Sequence, residues 1–364
     1  MWKRIVNVSI RSEDGASTFQ FNKHRIDFEY NSTIGWAGDY GTITIYNLSN
    51  EEIQSLQSRK NGYLNIQLDA FYGDATGLSE YANPNDDYNE ALITIGDDNP
   101  LSTIFIGSIT NVVAYHEMPE SVTHLYCVPM QVINATKIVT DVYPVINKGD
   151  RVNDAFAKIA EAYGFVVKFY GVDVDILHTQ FKRGKVFHTD LNDALNQLCG
   201  MLQLTYSIKS SFIEVYPLSF SGEPDIIQQI AKGKGAVKFT PDMVIGNPVA
   251  GLGSIEISTV LNASIMAGMV LDISSLLGMN YESGNNYVSF NSSYALNIDK
   301  TFILNAMSDV YQILQLTHHG STHQGNFQTD IYGVYGVSNT MGGNDRKWRE
   351  WYAKANGLGG VVYQ

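Results

Sequence analysis

The sequence contains little of what marks a secreted or redox-active protein. Only two of its 364 residues are cysteines, Cys127 and Cys199, and neither belongs to a Cys-x-x-Cys pair. Two lone thiols fit a chain that folds in a reducing cytoplasm, and a single disulfide between them stays open at this point. The first four residues lead into a short strand-like IVNVSI segment, whereas a signal peptide would continue as an apolar run. We therefore expect no secretory leader.

Long hydrophobic runs and positive charge are also scarce. No stretch reaches the roughly 18 apolar residues that a membrane-spanning helix needs, so we expect no such helix. The chain has 24 Lys and Arg against 37 Asp and Glu, and residues 1–130 alone hold 7 against 17. Because an acidic surface repels phosphate, we expect no sequence-independent grip on nucleic acid. Such a surface could instead line a passage through which nucleic acid slides.

Catalytic and ligand-binding motifs are missing as well. The chain has no Gly-x-Ser-x-Gly motif and no Cys/His arrangement typical of a hydrolase. AKGKGAV at 231–237 lacks the spacing of a phosphate-binding loop, and NPNDDYNE at 83–90 lacks the ligand spacing of a calcium loop. The acidic segment 73–100 is therefore interpreted as a solvated insertion. We predict no enzyme activity, no catalytic residue, no cofactor and no metal.

What the chain does have is the composition of short strands and tight turns. Hydrophobic residues make up 44% and charged residues 17%, with 22 Tyr, 16 Phe and 32 Gly. We predict a mainly β fold with an α+β insertion, in which two tube-like β-barrel domains flank a small α/β module. The predicted bounds are 1–130 for the first barrel with its acidic insertion at 73–100, 131–217 for the module, 218–340 for the second barrel, and 341–364 for a C-terminal tail.

The module is predicted from a helix–strand pattern that occurs twice. GDRVNDAFAKIAEAYG and LNDALNQLCGML each place their apolar residues on one helical face, and a strand follows each helix. Asp150 and Asp190 are the predicted N-caps, and Gly164 is the predicted stop of the first helix. Cys199 lies on the apolar face of the second helix, so we interpret it as a core thiol and not as a nucleophile.

The C-terminal tail offers a candidate interface. Trp348, Trp351 and Tyr352 recur at helical spacing within a polar stretch, which favours a short helix that docks on a neighbour. We name these three as possible protein-interface residues.

Three histidines near the end of the chain need a decision between a metal site and a hairpin. His318, His319 and His323 fall within LTHHGSTHQGNFQTDIYGVYG, and Asp330 follows. Adjacent strand residues point to opposite faces, so the first two cannot both ligate one ion if the strand continues. Two alternating segments joined by a glycine-containing loop predict a hairpin that closes a β-barrel.

The order of these segments resembles the central hub proteins of contractile phage tail baseplates. The resemblance rests on GTITIYNLSNEEIQSL, on the pair DAFAKIAEAYGF and NDALNQLCGMLQLTYSI, and on GSIEISTVLNASIMAGMVLDI followed by YQILQLTHHGSTHQGNFQTDI. It covers residues 40–335, and each motif alone is degenerate. The acidic segment and the residues after 340 lie outside it.

The resemblance implies a structural virion protein that forms a homotrimeric ring. Two similar barrels in each of three chains would match the six-fold tail tube on one side and the three-fold central spike on the other. The implied partners are a second and third copy, the spike protein, the tube protein and other baseplate proteins. DNA would pass through without specific binding, and the location would be the tail baseplate, after assembly in the host cytoplasm.

Three other interpretations stay open at this stage. One is a tail-tip protein of a non-contractile phage. A second is a secretin-like ring-forming module, because LNDALNQLCGMLQLTYSI also resembles the short ring-forming domains of those proteins. The third is a carbohydrate-active enzyme with accessory β-domains, which activity on peptidoglycan or polysaccharide would reveal.

The histidine analysis generates a direct prediction. We expect metal analysis of the pure protein to find far less than one zinc per chain, because His318 and His319 should face opposite ways. Stoichiometric zinc that is lost in a His318→Ala variant would contradict this expectation.

Overall fold

A computed structural model describes residues 3–12, 18–35, 39–58, 64–73, 103–129, 143–209, 212–218, 224–250, 254–273, 276, 289–290, 310–323 and 325–334. The fold is mainly β with an α/β insertion, as the sequence predicts. One sheet runs through both β-rich parts of the chain, and the insertion carries two smaller sheets. The division into domains at the predicted boundaries stays a prediction.

The first β-rich part, called the first half below, alternates buried and exposed residues along its strands. Ile43 and Ile45 face the core, while Thr42 and Tyr46 on either side of them are less buried. Ser49 caps the helix that follows, and its capping box with Glu52 is complete. The elements are β1 (Lys3–Ser12), β2 (Thr18–Phe21), β3 (Ile26–Thr33), β4 (Tyr40–Tyr46), α1 (Asn50–Gln57), β5 (Leu64–Gly73), β6 (Thr103–Glu117) and β7 (Glu120–Val128).

The α/β module packs two amphipathic helices on a three-stranded sheet. Asp190 caps the second helix as predicted, and Gly164 follows the first helix with a φ of +79°. The prediction for Asp150 is wrong: Arg151 is the N-cap, because the Asp150 carboxylate instead binds Lys158 at 2.5 Å and accepts from the backbone of Asn147. The elements are β8 (Val145–Ile146), α2 (Val152–Ala162), β9 (Val166–Phe169), α3 (Val174–His178), β10 (Lys185–Val186), α4 (Leu191–Leu202), β11 (Leu204–Lys209) and β12 (Phe212–Pro217).

The second half begins with a helix and returns to strands. Its last two strands form the predicted hairpin around the histidines. Leu261 and Phe327 of this half pack in the core of the first half, so the two halves share buried surface. The elements are α5 (Pro224–Lys234), β13 (Ala236–Lys238), β14 (Val244–Ala250), β15 (Ser254–Val260), β16 (Val270–Asp272), β17 (Ser289–Phe290), β18 (Val310–Ser321) and β19 (Phe327–Val334).

The two halves repeat one strand plan. In the first half the sheet order is β1-β5-β6-β7-β4-β3, and in the second it is β13-β16-β18-β19-β15-β14. The matched strands also follow one another in the same order along the chain in both halves. Every matched pair of neighbours is antiparallel in both halves, except that β1 and β5 are antiparallel whereas β13 and β16 are parallel. Six strands of each half therefore follow the same order, whereas β2 and β17 have no counterpart.

Among the described strands, one pair joins the halves. β3 lies antiparallel to β18, with Thr33 opposite Gln315 at one end and Asp27 opposite Ser321 at the other. The rings of Tyr30 and His318 stack across this seam, 6.2 Å apart between their centres.

The module is held where the seam ends. Lys209 of β11 binds Asp39 and donates to the Ser32 hydroxyl at 2.9 Å. On the same face of the module sheet, Lys234 of α5 binds Glu214 at 2.5 Å, with the two side chains only 9% and 6% exposed. Apolar contacts surround these two ion pairs and come from all three parts of the chain; they are made by Ile34, Tyr170, Tyr216, Ile230, Ala267 and Val270.

The buried pair of Lys234 and Glu214 generates a stability prediction. Lys234→Met leaves the Glu214 carboxylate buried without its cation, so we expect the free energy of unfolding to fall by about 3 kcal/mol or more in urea titrations. A second change, Glu214→Gln, should recover most of that loss because the amide still accepts from Tyr216. Lys232→Met, at an exposed position of the same helix, is the control. A loss no larger than that of the control would contradict the prediction.

Candidate functional site

The largest candidate surface is one face of the central sheet, called the polar face below. Eight strands contribute to it, in the order β6-β7-β4-β3-β18-β19-β15-β14. Cross-strand register and the two-residue side-chain period place the following residues on this face. They are Val113 and Tyr115, His124 and Tyr126, Thr42 and Thr44, Asp27, Glu29 and Asn31, Thr317 and His319, Gln328, Asp330 and Tyr332, Glu256 and Ser258, and Ile245.

The charge of these eight strands has one sign. None of them contains a Lys or an Arg, whereas they contain six carboxylates. Asp27, Glu29, Glu256 and Asp330 lie on the polar face, and Glu117 and Glu120 lie opposite each other at the end of the β6–β7 hairpin. A broad surface with carboxylates and without strand cations repels polyanions.

Arg25, directly before the first residue of β3, partly offsets this negative charge. Arg25 lies 3.3 Å from Glu120 and 3.6 Å from Asp27, and its side chain covers the ring of Tyr46. The Tyr46 hydroxyl donates to Asp27 at 2.9 Å. Burial, with Asp27 as the next cause, raises the pKa of Tyr46. These contacts tie β3, β4 and β7 together, although the Arg25 Nε and the Asp27 Oδ1 are buried without a hydrogen-bond partner among the described residues.

His318 is a core residue and not an exposed ligand. It is 2% exposed, its Nδ1 lies 2.8 Å from the Thr329 hydroxyl, and its ring stacks on Tyr30. Burial lowers its pKa to about 4, so the imidazole is neutral at physiological pH. Its role is to fill the core beneath the seam between β3 and β18.

The other two histidines lie elsewhere. His319 points to the polar face, where its Nε2 is 3.0 Å from Asp330. The same nitrogen makes no aligned hydrogen bond, so the two groups lie close together without a hydrogen bond between them. His323 is exposed in the hairpin loop beside Thr322. The structure thus separates the three side chains in space.

Within the described ranges, no three His, Cys, Asp or Glu side chains converge on a common point where a metal ion could bind. The same portion of the chain has no helix long and apolar enough to cross a membrane. The absence of bound zinc stays a prediction for metal analysis.

Several predicted features have different outcomes. Trp348, Trp351 and Tyr352 lie outside the described residues, as does the acidic stretch after Gly73. Cys127 and Cys199 are buried and unpaired, and burial raises the pKa of each thiol to about 12. The interpretation of Cys199 as a core thiol is therefore confirmed.

Sequence reasoning missed the polar face as a single surface. A signal for it was present, because all eight strand segments lack Lys and Arg in a chain that has 24 of them. What could not be read from the sequence is that these segments lie side by side.

Comparisons with known proteins give distant likenesses only. No family model matches the chain, and no curated protein matches it. Among solved structures, a 43 kDa tail protein of prophage MuSo2 from Shewanella oneidensis is similar at a TM-score of 0.48 and 7% identity, over 90% of this chain and 96% of that one. A tail protein from Neisseria meningitidis gives 0.46 and 8% over the same shares, 90% and 96%. Prophage tail protein gp18 from Listeria monocytogenes gives 0.43 and 7% over 97% and 100%. At these values the likeness assigns neither a family nor a function to this chain.

The buried imidazole generates a prediction about acid stability. An unfolded chain protonates His318 near the ordinary pKa of about 6.5, whereas the folded protein keeps it neutral until the pH approaches its lowered value. Between about pH 6.5 and about pH 4 the unfolded state thus binds more protons, and stability falls as the pH decreases through this range. We expect this residue to cost about 2 kcal/mol between pH 7 and pH 5.

Urea titrations over that pH range check this expectation. His318→Gln should flatten the acid side of the stability profile, and His323→Gln, at an exposed position, should leave it unchanged. Equal slopes in the wild-type protein and the His318→Gln variant would show that another group controls acid stability.

Proposed function

We propose that this protein is the central hub of a phage tail baseplate. In this role three copies form a ring that adapts a six-fold tail tube to a three-fold central spike and surrounds the DNA channel. The function is structural, without turnover. Its partners would be further copies of itself, the spike protein, the tube protein and neighbouring baseplate proteins.

The duplicated strand plan is the observation that carries this proposal. A three-fold object cannot meet a six-fold object through equivalent contacts unless one component presents both symmetries. A chain with two halves of the same topology, joined side by side in one sheet, offers this property, because three chains bring six similar halves. The order of sequence motifs from residue 40 to 335 supports the same assignment independently.

The charge of the polar face supports the channel. A conduit for DNA must not hold its cargo, and carboxylates without strand cations on the wall favour passage because like charges repel. Glu29 and Glu256 provide this charge in the first and second half, respectively. We therefore propose the polar face as the wall of the channel.

The rival functions receive less support. A secretin-like ring module would account for residues 143–217 but not for the duplicated β halves. A carbohydrate-active enzyme would need a catalytic pair of carboxylates beside a cleft, and nothing in the described residues singles out such a pair. A tail-tip protein of a non-contractile phage would form a similar ring but would bind different partners.

The mass and shape of the purified protein test the proposal. We expect light scattering to give three times the chain mass, and electron microscopy of the particles to show a ring with three-fold or pseudo-six-fold symmetry around a central hole. A protein that stays monomeric up to high concentration, or a compact particle without a hole, would contradict it.

A further inference from the structure

The duplication extends to a β-bulge, which the longest strand of each half has at a matching place. β6 and β18 occupy matching places, and each has a register shift against its hairpin partner, between Ile109 and Asn111 in β6 and between Ile313 and Gln315 in β18. Before the shift, each strand pairs on its outer side with a strand of its own half, β5 and β16, respectively. Matching bulges give a residue-by-residue correspondence between the two strands.

After the bulge the two strands differ in one respect. The seven residues from Gln315 to Ser321 of β18 pair on their outer side with β3. The corresponding seven residues of β6, from Asn111 to Glu117, have no strand on that side among the described residues. Within the described ranges, β6 therefore presents an open edge at the place where β18 forms the seam.

The strand that would fill this edge is defined by the same correspondence. β18 accepts β3, and the counterpart of β3 in the second half is β14, which ends the sheet on the opposite side except for a two-residue contact with β17. Within the described chain β14 and β6 do not pair, since they lie at opposite ends of an eight-strand series that stays open. We propose that β14 of a second copy pairs antiparallel with Asn111–Glu117 of β6, as a repeat of the β3–β18 seam between chains. This inference rests on the proposed function, and it names the two strands that join neighbouring copies in the ring.

Exposed apolar side chains on the polar face support the same two strands. Val113 and Tyr115 on β6 are 39% and 44% exposed, and Ile245 on β14 is 42% exposed. Their counterparts at the internal seam, Thr317 and His319 of β18 and Asp27 of β3, are polar. Thr317, His319 and Asp27 are only partly exposed beside their strand partners. Apolar residues that are more exposed at the matching positions indicate a surface that another chain covers.

The internal seam also predicts the register between copies. Ser321 lies opposite Asp27 in the seam, and their counterparts are Glu117 and Ile245. We therefore expect Glu117 of one copy to face Ile245 of the next. β14 has a register shift against β15 between Ile245 and Val249, which β3 lacks against β4, so the correspondence with the seam is direct at Ile245 and is interrupted after it.

β17 sets a condition for assembly. It pairs in parallel with Val249 and Ala250 of β14, on the side that the incoming β6 would use. Both strands cannot occupy this edge, so the proposed contact displaces β17. A two-residue parallel pairing is a weak competitor for a longer antiparallel one.

A cysteine pair tests the register. In a Glu117→Cys, Ile245→Cys double variant, a short thiol-specific crosslinker should join chains into covalent dimers and trimers on denaturing gels, with a yield at least about tenfold above either single variant. The native Cys127 and Cys199 are buried and should stay unmodified. The matched control is Val113→Cys with Ile245→Cys, whose positions would be separated by about 13 Å along the strand.

The outcomes separate this inference from the proposed function. Crosslinking in the test pair alone supports the β6–β14 contact. A trimeric ring that crosslinks equally poorly in both pairs would retain the function and overturn this interface. Crosslinked dimers from Glu117→Cys alone would indicate a two-fold pairing of β6 with β6 and would also overturn it. A monomeric protein without any crosslink would reject both.

Discussion

The antiparallel pairing of β3 with β18 is the contact on which the rest of the structure depends. It joins residues 27–33 to residues 315–321, and thereby turns two β-rich parts of the chain into one sheet. The stacked rings of Tyr30 and His318 fill the core beneath it, and the Thr317 hydroxyl donates to Asn31 across the other face at 2.7 Å. Without this pairing the polar face would be two separate surfaces.

The α/β module depends on the same region. Its strand β11 contacts the last residues of β3 through Lys209, and its strand β12 reaches α5 through Glu214. The two ion pairs lie at the junction of all three parts, where burial makes an unpaired charge costly. Lys209 reflects this balance, because burial lowers its pKa while the neighbouring Asp39 opposes that shift. The position of the module thus follows from where the seam ends.

Local patterns predicted the pieces, and long-range pairing decided how they meet. The alternation of Thr42 to Tyr46, the apolar helix faces, the Asp190 cap and the histidine hairpin are all set by neighbours in sequence, and each was readable. The N-cap prediction for Asp150 was wrong because its carboxylate binds Lys158, about two turns further along the chain, and does not cap the helix N-terminus. The seam itself joins strands nearly 300 residues apart, and strand pairing at that separation depends on tertiary packing that no local pattern encodes. The same holds for the polar face. The sequence shows that its strands lack Lys and Arg, but it does not show that these strands lie side by side in one surface.

The small strand β17 has a consequence for the life of the single chain. An uncovered, apolar sheet edge invites indiscriminate association with any extended peptide, and cells remove proteins that display one. β17 covers two residues of the β14 edge. In the proposed assembly it would stay there until a neighbouring copy displaces it, so a single chain would expose less of this edge than the assembled contact uses. The onset of assembly would then follow the concentration of the chain.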